Sequence, residues 1–132
     1  MTDYATAYAG FDLAAAQSIF SRPIASGINA AEECCDRWCG ADRVALRWAG
    51  DQGQREDWTF EQLRDASSRL ANLLASHGIV AGDRIAGLLP RTPMLLITIL
   101  AAWRLGAVYQ PLFTAFGPKP VAHRLEAAGT RA

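Results

Sequence analysis

Between residues 83 and 129, two short apolar runs alternate with two helical patterns, and this alternation constrains the fold more than any other feature of the sequence. The runs 84–89 and 107–113 read as buried strands. Residues 93–105 form a helix pattern that is apolar nearly all round, so it should be covered on most sides. Thr92 is its expected N-cap, Pro93 sits at the first position, where a missing N–H costs nothing, and Gly106 stops it. Pro118 opens another helix, with Val121, Leu125 and Ala128 on one face and Gly129 as its end. Strands separated by helices need crossover connections, and those impose a parallel sheet. The order ends on a helix where such an architecture expects a further strand, so the sequence reads as part of a domain.

The preceding residues predict a helix and a β-hairpin. Asn29 can N-cap a helix over 30–38, with Glu32 completing a capping box and Gly40 closing it. Val44, Leu46 and Trp48 alternate with Arg43, Ala45 and Arg47, the period of a strand with one buried face; residues 50–53 supply a turn, and 55–58 return. Thr59 and Gln62 then form a capping box at the head of a long helix, with Trp58 placed to staple onto Leu63. Leu63, Ala66, Leu70, Leu73, Leu74 and His77 recur at helical spacing as its expected inner face. Residues 1–28 are weakly patterned. Phe11, Leu13, Ile19 and Phe20 suggest one short helix ending before Pro23, in a lead-in segment that packs on something else. The fold class is therefore α/β, a partial parallel sheet preceded by a helix and a hairpin.

Composition excludes several functions. With 132 residues the chain has the size of one domain, and 51% apolar residues make it globular. Thirteen basic and thirteen acidic residues cancel, which leaves no basic footprint for nucleic acid, and the four tryptophans are expected mostly at core positions. The longest strongly apolar run, Met94 to Trp103, falls short of the roughly 20 residues of a membrane span. No basic segment leads into an apolar stretch at the N-terminus, so the expected location is the cytoplasm. Arginine and alanine abundance beside a single lysine, Lys119, suggests a GC-rich bacterial genome.

Motifs for chemistry are few. Cys34, Cys35 and Cys39 form no disulfide framework and, with His77 and His123 far off, no metal site; they read as small reduced residues on a helix, a reactive thiol being the alternative. Glycine spacing for a dinucleotide or Walker loop is absent, as are His-Glu-x-x-His and Gly-x-Ser-x-Gly. His77 reads as a helix-end residue and His123 as part of a solvated face. No catalytic residue and no metal ligand is assigned.

The order of local signals is more telling. Residues 58–63 (Trp-Thr-Phe-Glu-Gln-Leu), 69–74 (Arg-Leu-Ala-Asn-Leu-Leu), 78–85, 89–93 and 101–112 resemble the N-terminal region of acyl-CoA synthetases of the adenylate-forming, AMP-binding superfamily. Residues 113–118, with Arg124 and Leu125 after them, and residues 29–39 are most similar to its acetyl-CoA synthetase-type branch. The resemblance covers about residues 28–132. It implies the fold of the first part of the ligase's large domain, with 1–28 as lead-in and 29–132 as an incomplete N-terminal subdomain. It also implies a reaction: a small carboxylic acid and ATP give an acyl-adenylate and pyrophosphate, and coenzyme A displaces AMP, with Mg as the companion of ATP. The family's phosphate loop, adenine motifs and catalytic lysine have no counterpart here, so the chain alone is expected to be inactive. Phe113, Thr114, Ala115 and Phe116 are implied to lie near the coenzyme A entrance, Thr114 and Ala115 standing where relatives often carry glycines. The alternative is a non-catalytic α/β module that folds alone or binds a partner chain. An unpaired sheet edge, on the strand 84–89 or 107–113, is expected to promote self-association.

Overall fold

The computed structural model describes residues 3–132. Two short helices, α1 (Tyr4–Ala9) and α2 (Leu13–Gln17), form an N-terminal arm, followed by a 3-10 turn at Ile24–Ser26 and by α3 (Ala30–Cys34). The hairpin β1 (Val44–Ala49) and β2 (Arg55–Thr59) leads directly into α4 (Phe60–Ser76). Then β3 (Arg84–Gly87), α5 (Pro93–Arg104), β4 (Val108–Pro111) and α6 (Pro118–Ala128) complete the order. β1 and β2 pair antiparallel, and β3 and β4 pair parallel in the register Arg84–Val108 to Gly87–Pro111. The α/β reading and the parallel crossover are thus observed, as two small sheets.

Several elements differ from expectation for physical reasons. The lead-in holds two helices rather than one, each capped by an aspartate. Asp3 accepts from the Thr6 N–H at 3.1 Å, and Asp12 from the Ala14 and Ala15 N–H groups. Ile19 and Phe20 fall outside both. The helix expected over 30–38 breaks at Cys35 (φ −129°, ψ −64°) and resumes as a 3-10 turn, Asp36–Trp38. Asn29 does cap it, accepting from Ala31 at 2.9 Å, but Glu32 pairs with Arg22 at 2.5 Å instead of folding back onto the cap. Both parallel strands are shorter than their apolar runs. Pro90 turns the chain after β3, and the Pro111 nitrogen lies on the outer edge of β4, since the N–H groups of Val108 and Leu112 are the ones that face β3. On the hairpin, a register shift between Val44 and Leu46 leaves Val44 exposed, while Leu46 and Trp48 keep the inward face.

The capping box at α4 is complete. The Gln62 N–H donates to Thr59 Oγ1 at 3.2 Å, and the Thr59 N–H donates to Gln62 Oε1 at 2.8 Å. The buried stripe is Leu63, Ser67 and Ala71, flanked by the partly buried Ala66, Leu70 and Leu74. Leu73, 54% exposed, and His77 lie off it, contrary to the periodicity. Small residues occupy the stripe because α4 packs on α5, where Ala101 and Ala102 are fully buried. Helix axes approach closely only where side chains are small. Thr92 occupies the N-cap position of α5 without a side-chain bond, and Met94 on that helix is half exposed. Two apolar clusters result. One joins Ala31, Cys35, Leu63, Ile97 and Leu100; the other joins Ile79, Ile85, Ala102 and Ala107 beneath the parallel strands. Trp58 and Trp103 pack on the first, whereas Trp38 is exposed.

Candidate functional site

In an open parallel α/β unit, ligands approach the carboxyl ends of the strands. Here those ends are Gly87 and Pro111, and the loop 112–117 follows directly. Leu112 anchors it, buried, with its N–H donating to the Gly87 carbonyl at 2.9 Å. From that anchor the chain turns outward. Phe113 is 58% exposed, Thr114 and Ala115 are exposed, and the Phe116 N–H closes the turn onto the Phe113 carbonyl at 3.0 Å. The Phe113 and Phe116 rings meet edge to face, 5.7 Å between centroids. The four consecutive residues singled out from the sequence thus form one turn, exposed at Phe113, Thr114 and Ala115 and half-buried at Phe116.

Its support comes from α6, through contacts that no local sequence pattern shows. The Arg124 guanidinium lies over the Phe116 ring at 4.1 Å, a cation–π contact, while its Nη1 donates to the Pro120 carbonyl. Gln110 at the end of β4 donates to the Arg124 carbonyl at 3.0 Å and accepts from Thr130 Oγ1 at 2.7 Å. Arg84 at the start of β3 donates to the Ala128 and Gly129 carbonyls at the end of α6. Beyond α6 the Arg131 N–H reaches the Arg84 carbonyl at 2.9 Å, and the Ala86 N–H reaches the Ala132 carbonyl at 2.6 Å. The C-terminal residues thus lie along β3, leaving the outer edge of β4 as the unpaired edge of this sheet among the described residues.

Beside the loop, Tyr109 crosses the face of Gly87. Its hydroxyl is buried without a partner, and burial pushes the phenol above its ordinary value. Further away, Arg104 clamps three helical elements. It grips Asp36 through two bonds of 2.6 and 2.5 Å and donates from Nε to Ser67 Oγ at 3.0 Å. Its carbonyl accepts from Asn29.

Several other titratable groups make contacts within the fold. Burial, then the neighbouring Asp36, pushes the Cys35 thiol up to about 11, so it stays protonated; it donates to the Phe60 carbonyl at 3.4 Å. All three cysteines are free. His77 Nδ1 lies 2.9 Å from the Leu73 carbonyl at the end of α4, and His123 sits exposed on α6. Among the described residues no three His, Cys, Asp or Glu side chains are grouped to hold a metal, and no helix is long and apolar enough to cross a membrane. Glu61 accepts from the Gly40 N–H, which holds its carboxyl well down, to about 2. A folded-state value below the ordinary 4.5 means that this contact stabilises the fold above about pH 4.5 and fades as pH falls toward 2. Denaturant midpoints should accordingly be lower for Glu61→Gln than for the wild type near neutrality, with the two curves converging as the pH approaches 2.

A parallel β–α–β unit with an open turn at the carboxyl ends of its strands defines the class as α/β. The family described as AMP-binding enzyme matches residues 32–132, and this chain belongs to that family. It is 37% identical over 105 residues to an acetyl-coenzyme A synthetase of Mycolicibacterium smegmatis, covering 76% of this chain and 11% of that protein. It is 36% identical over 107 residues to the acetyl-coenzyme A synthetase of Streptomyces coelicolor, covering 79% and 16%. The crystal structure of a Brucella canis acyl-CoA synthetase superimposes with a TM-score of 0.94 at 52% identity, over 98% of this chain and 24% of that one. Apo MatB from Rhodopseudomonas palustris is more distant, at a TM-score of 0.66 and 25% identity, over 77% of this chain and 20% of that one. The chain thus spans a quarter or less of each.

Proposed function

We propose that this chain is the N-terminal part of an AMP-forming acid–CoA ligase, with 1–28 as lead-in and 29–132 as part of the large domain. In the complete enzyme a small carboxylic acid and ATP, accompanied by Mg, form an acyl-adenylate and pyrophosphate, and coenzyme A then takes the acyl group. The 0.94 superposition on an acyl-CoA synthetase at 52% identity carries this reading.

Within the proposal, the turn Phe113, Thr114, Ala115 and Phe116 borders the path of coenzyme A. Its first three residues are exposed, it follows the carboxyl end of a parallel strand, and its two rings offer an apolar rim to a pantetheine arm. Thr114 makes the backbone less accessible than a glycine would. Adenylation is a different matter. Stabilising charge on a transferring phosphoryl group takes a cradle of backbone N–H groups and a cation. The sequence has no Gly-rich Ser/Thr loop, and Lys119, its one lysine, is exposed at the start of α6. The purified chain should therefore catalyse no ATP–pyrophosphate exchange with acetate, propionate, butyrate or benzoate; exchange above a no-enzyme blank overturns this account of its inactivity. The cytoplasm is the compartment in which such a ligase would meet ATP and coenzyme A.

The outer edge of β4 supports a proposal of self-association for the isolated chain. Light scattering on a size-exclusion column should show mass rising with concentration, and a 14.3 kDa species at all concentrations refutes it.

A further inference from the structure

The N-terminal arm is built to lie against something that these 132 residues do not supply. Tyr4, Tyr8, Phe11 and Leu13 are 82%, 74%, 68% and 60% exposed, and α1 and α2 contain no buried residue. Every hydrogen bond made by residues 3–18 is to a residue within four positions along the chain. The arm is tied to the body only beyond that point, by Arg37 donating to the Ile19 carbonyl at 2.7 Å, by the Ser21 N–H on Glu33, and by Arg22 on Glu32. Helices of six and five residues do not hold themselves together in water. Yet the Brucella canis acyl-CoA synthetase superimposes over 98% of this chain, arm included, and its own chain is about four times as long. An arm that keeps its pose in a longer protein, while presenting apolar side chains, is held there by the added part.

We infer that the arm docks on the portion of an adenylate-forming ligase that corresponds to the three quarters of the Brucella chain outside the match; this rests on the ligase reading above. The surface it meets is apolar with a neutral or basic rim. Residues 3–21 carry Asp3 and Asp12 and no lysine or arginine, so an acidic rim would repel them. Docking by Tyr4, Tyr8, Phe11, Leu13 and Ile19 removes a row of large apolar side chains from water.

A chimera tests this, in which the present 132 residues replace the matched quarter of the Brucella enzyme. Chymotrypsin cuts after aromatic residues, so cleavage at Tyr4, Tyr8 and Phe11 reports whether the arm is free. Cleavage should be fast in the isolated chain at every concentration, and at least about tenfold slower in the chimera. Leu13→Asn together with Ile19→Asn should return the chimera's arm to the rate of the isolated chain while its body stays protected. A chimera protected everywhere except the arm overturns this inference alone. A chimera digested throughout overturns it together with the ligase reading. Arm protection in the isolated chain that grows with concentration assigns the arm to a second copy and overturns it as well.

Discussion

Gly87→Ala should destabilise the chain by about 1–3 kcal/mol or more through overpacking, a large effect for the addition of one methyl group. A Cβ at this position would stand 2.1 Å from the Tyr109 hydroxyl oxygen, 2.8 Å from Cζ and 2.9 Å from Cε2. Tyr109 cannot simply swing aside, because its ring packs on the cluster of Ile79, Ile85, Ala102 and Ala107 under the sheet. Tyr109→Phe on its own should be neutral or stabilising, since it removes a buried hydroxyl that has no partner. It should relieve Gly87→Ala only in part, because the two ring carbons remain too close. Tyr109→Ala abolishes the clash altogether, so Gly87→Ala should add almost nothing in that background. Urea midpoints of the three single and two double variants check this, and equal costs of Gly87→Ala with and without the Tyr109 ring would show that the ring does not cross Gly87.

Arg104→Ala should cost about 2–4 kcal/mol, because it strips a partly buried carboxylate of its bidentate partner. The pair closes α5 onto the turn Asp36–Trp38, and the third bond, to Ser67, closes it onto α4. Side-chain exposures of 16% and 27% place the pair between a surface bridge and a fully buried one. Arg104→Lys keeps the charge but loses the planar fork and should recover less than half of the loss. A double-mutant cycle with Asp36→Ala should give a coupling energy of about 1 kcal/mol or more. Additive single costs would mean that the two residues act independently.

The elements that could be read from the sequence are those fixed by neighbours. The Thr59 capping box, Pro93 at the head of α5 and the β–α–β alternation each depend on residues a few positions apart, and each is present. What escaped depends on distant partners. The break at Cys35 turns Asp36 toward Arg104, 68 residues away, and no local pattern announces it. Leu73 has the right period for the core but lies off the stripe where Ser67 and Ala71 admit α5. The turn Phe113–Phe116 is legible through resemblance, but no local pattern announces that Arg124 braces it, because seven residues and a helix start lie between Arg124 and Phe116. Gly87 looked like an ordinary strand residue; only the packed ring of Tyr109 makes its missing side chain a requirement.

Pyrophosphate exchange into ATP, measured on the isolated chain and on the Brucella chimera in parallel, tests the central claim most directly. If the chain is the N-terminal part of an acid–CoA ligase, the chimera exchanges with at least one of acetate, propionate, butyrate and benzoate, and the isolated chain with none. A chimera that folds yet exchanges with none of them, or an isolated chain that exchanges by itself, would contradict it.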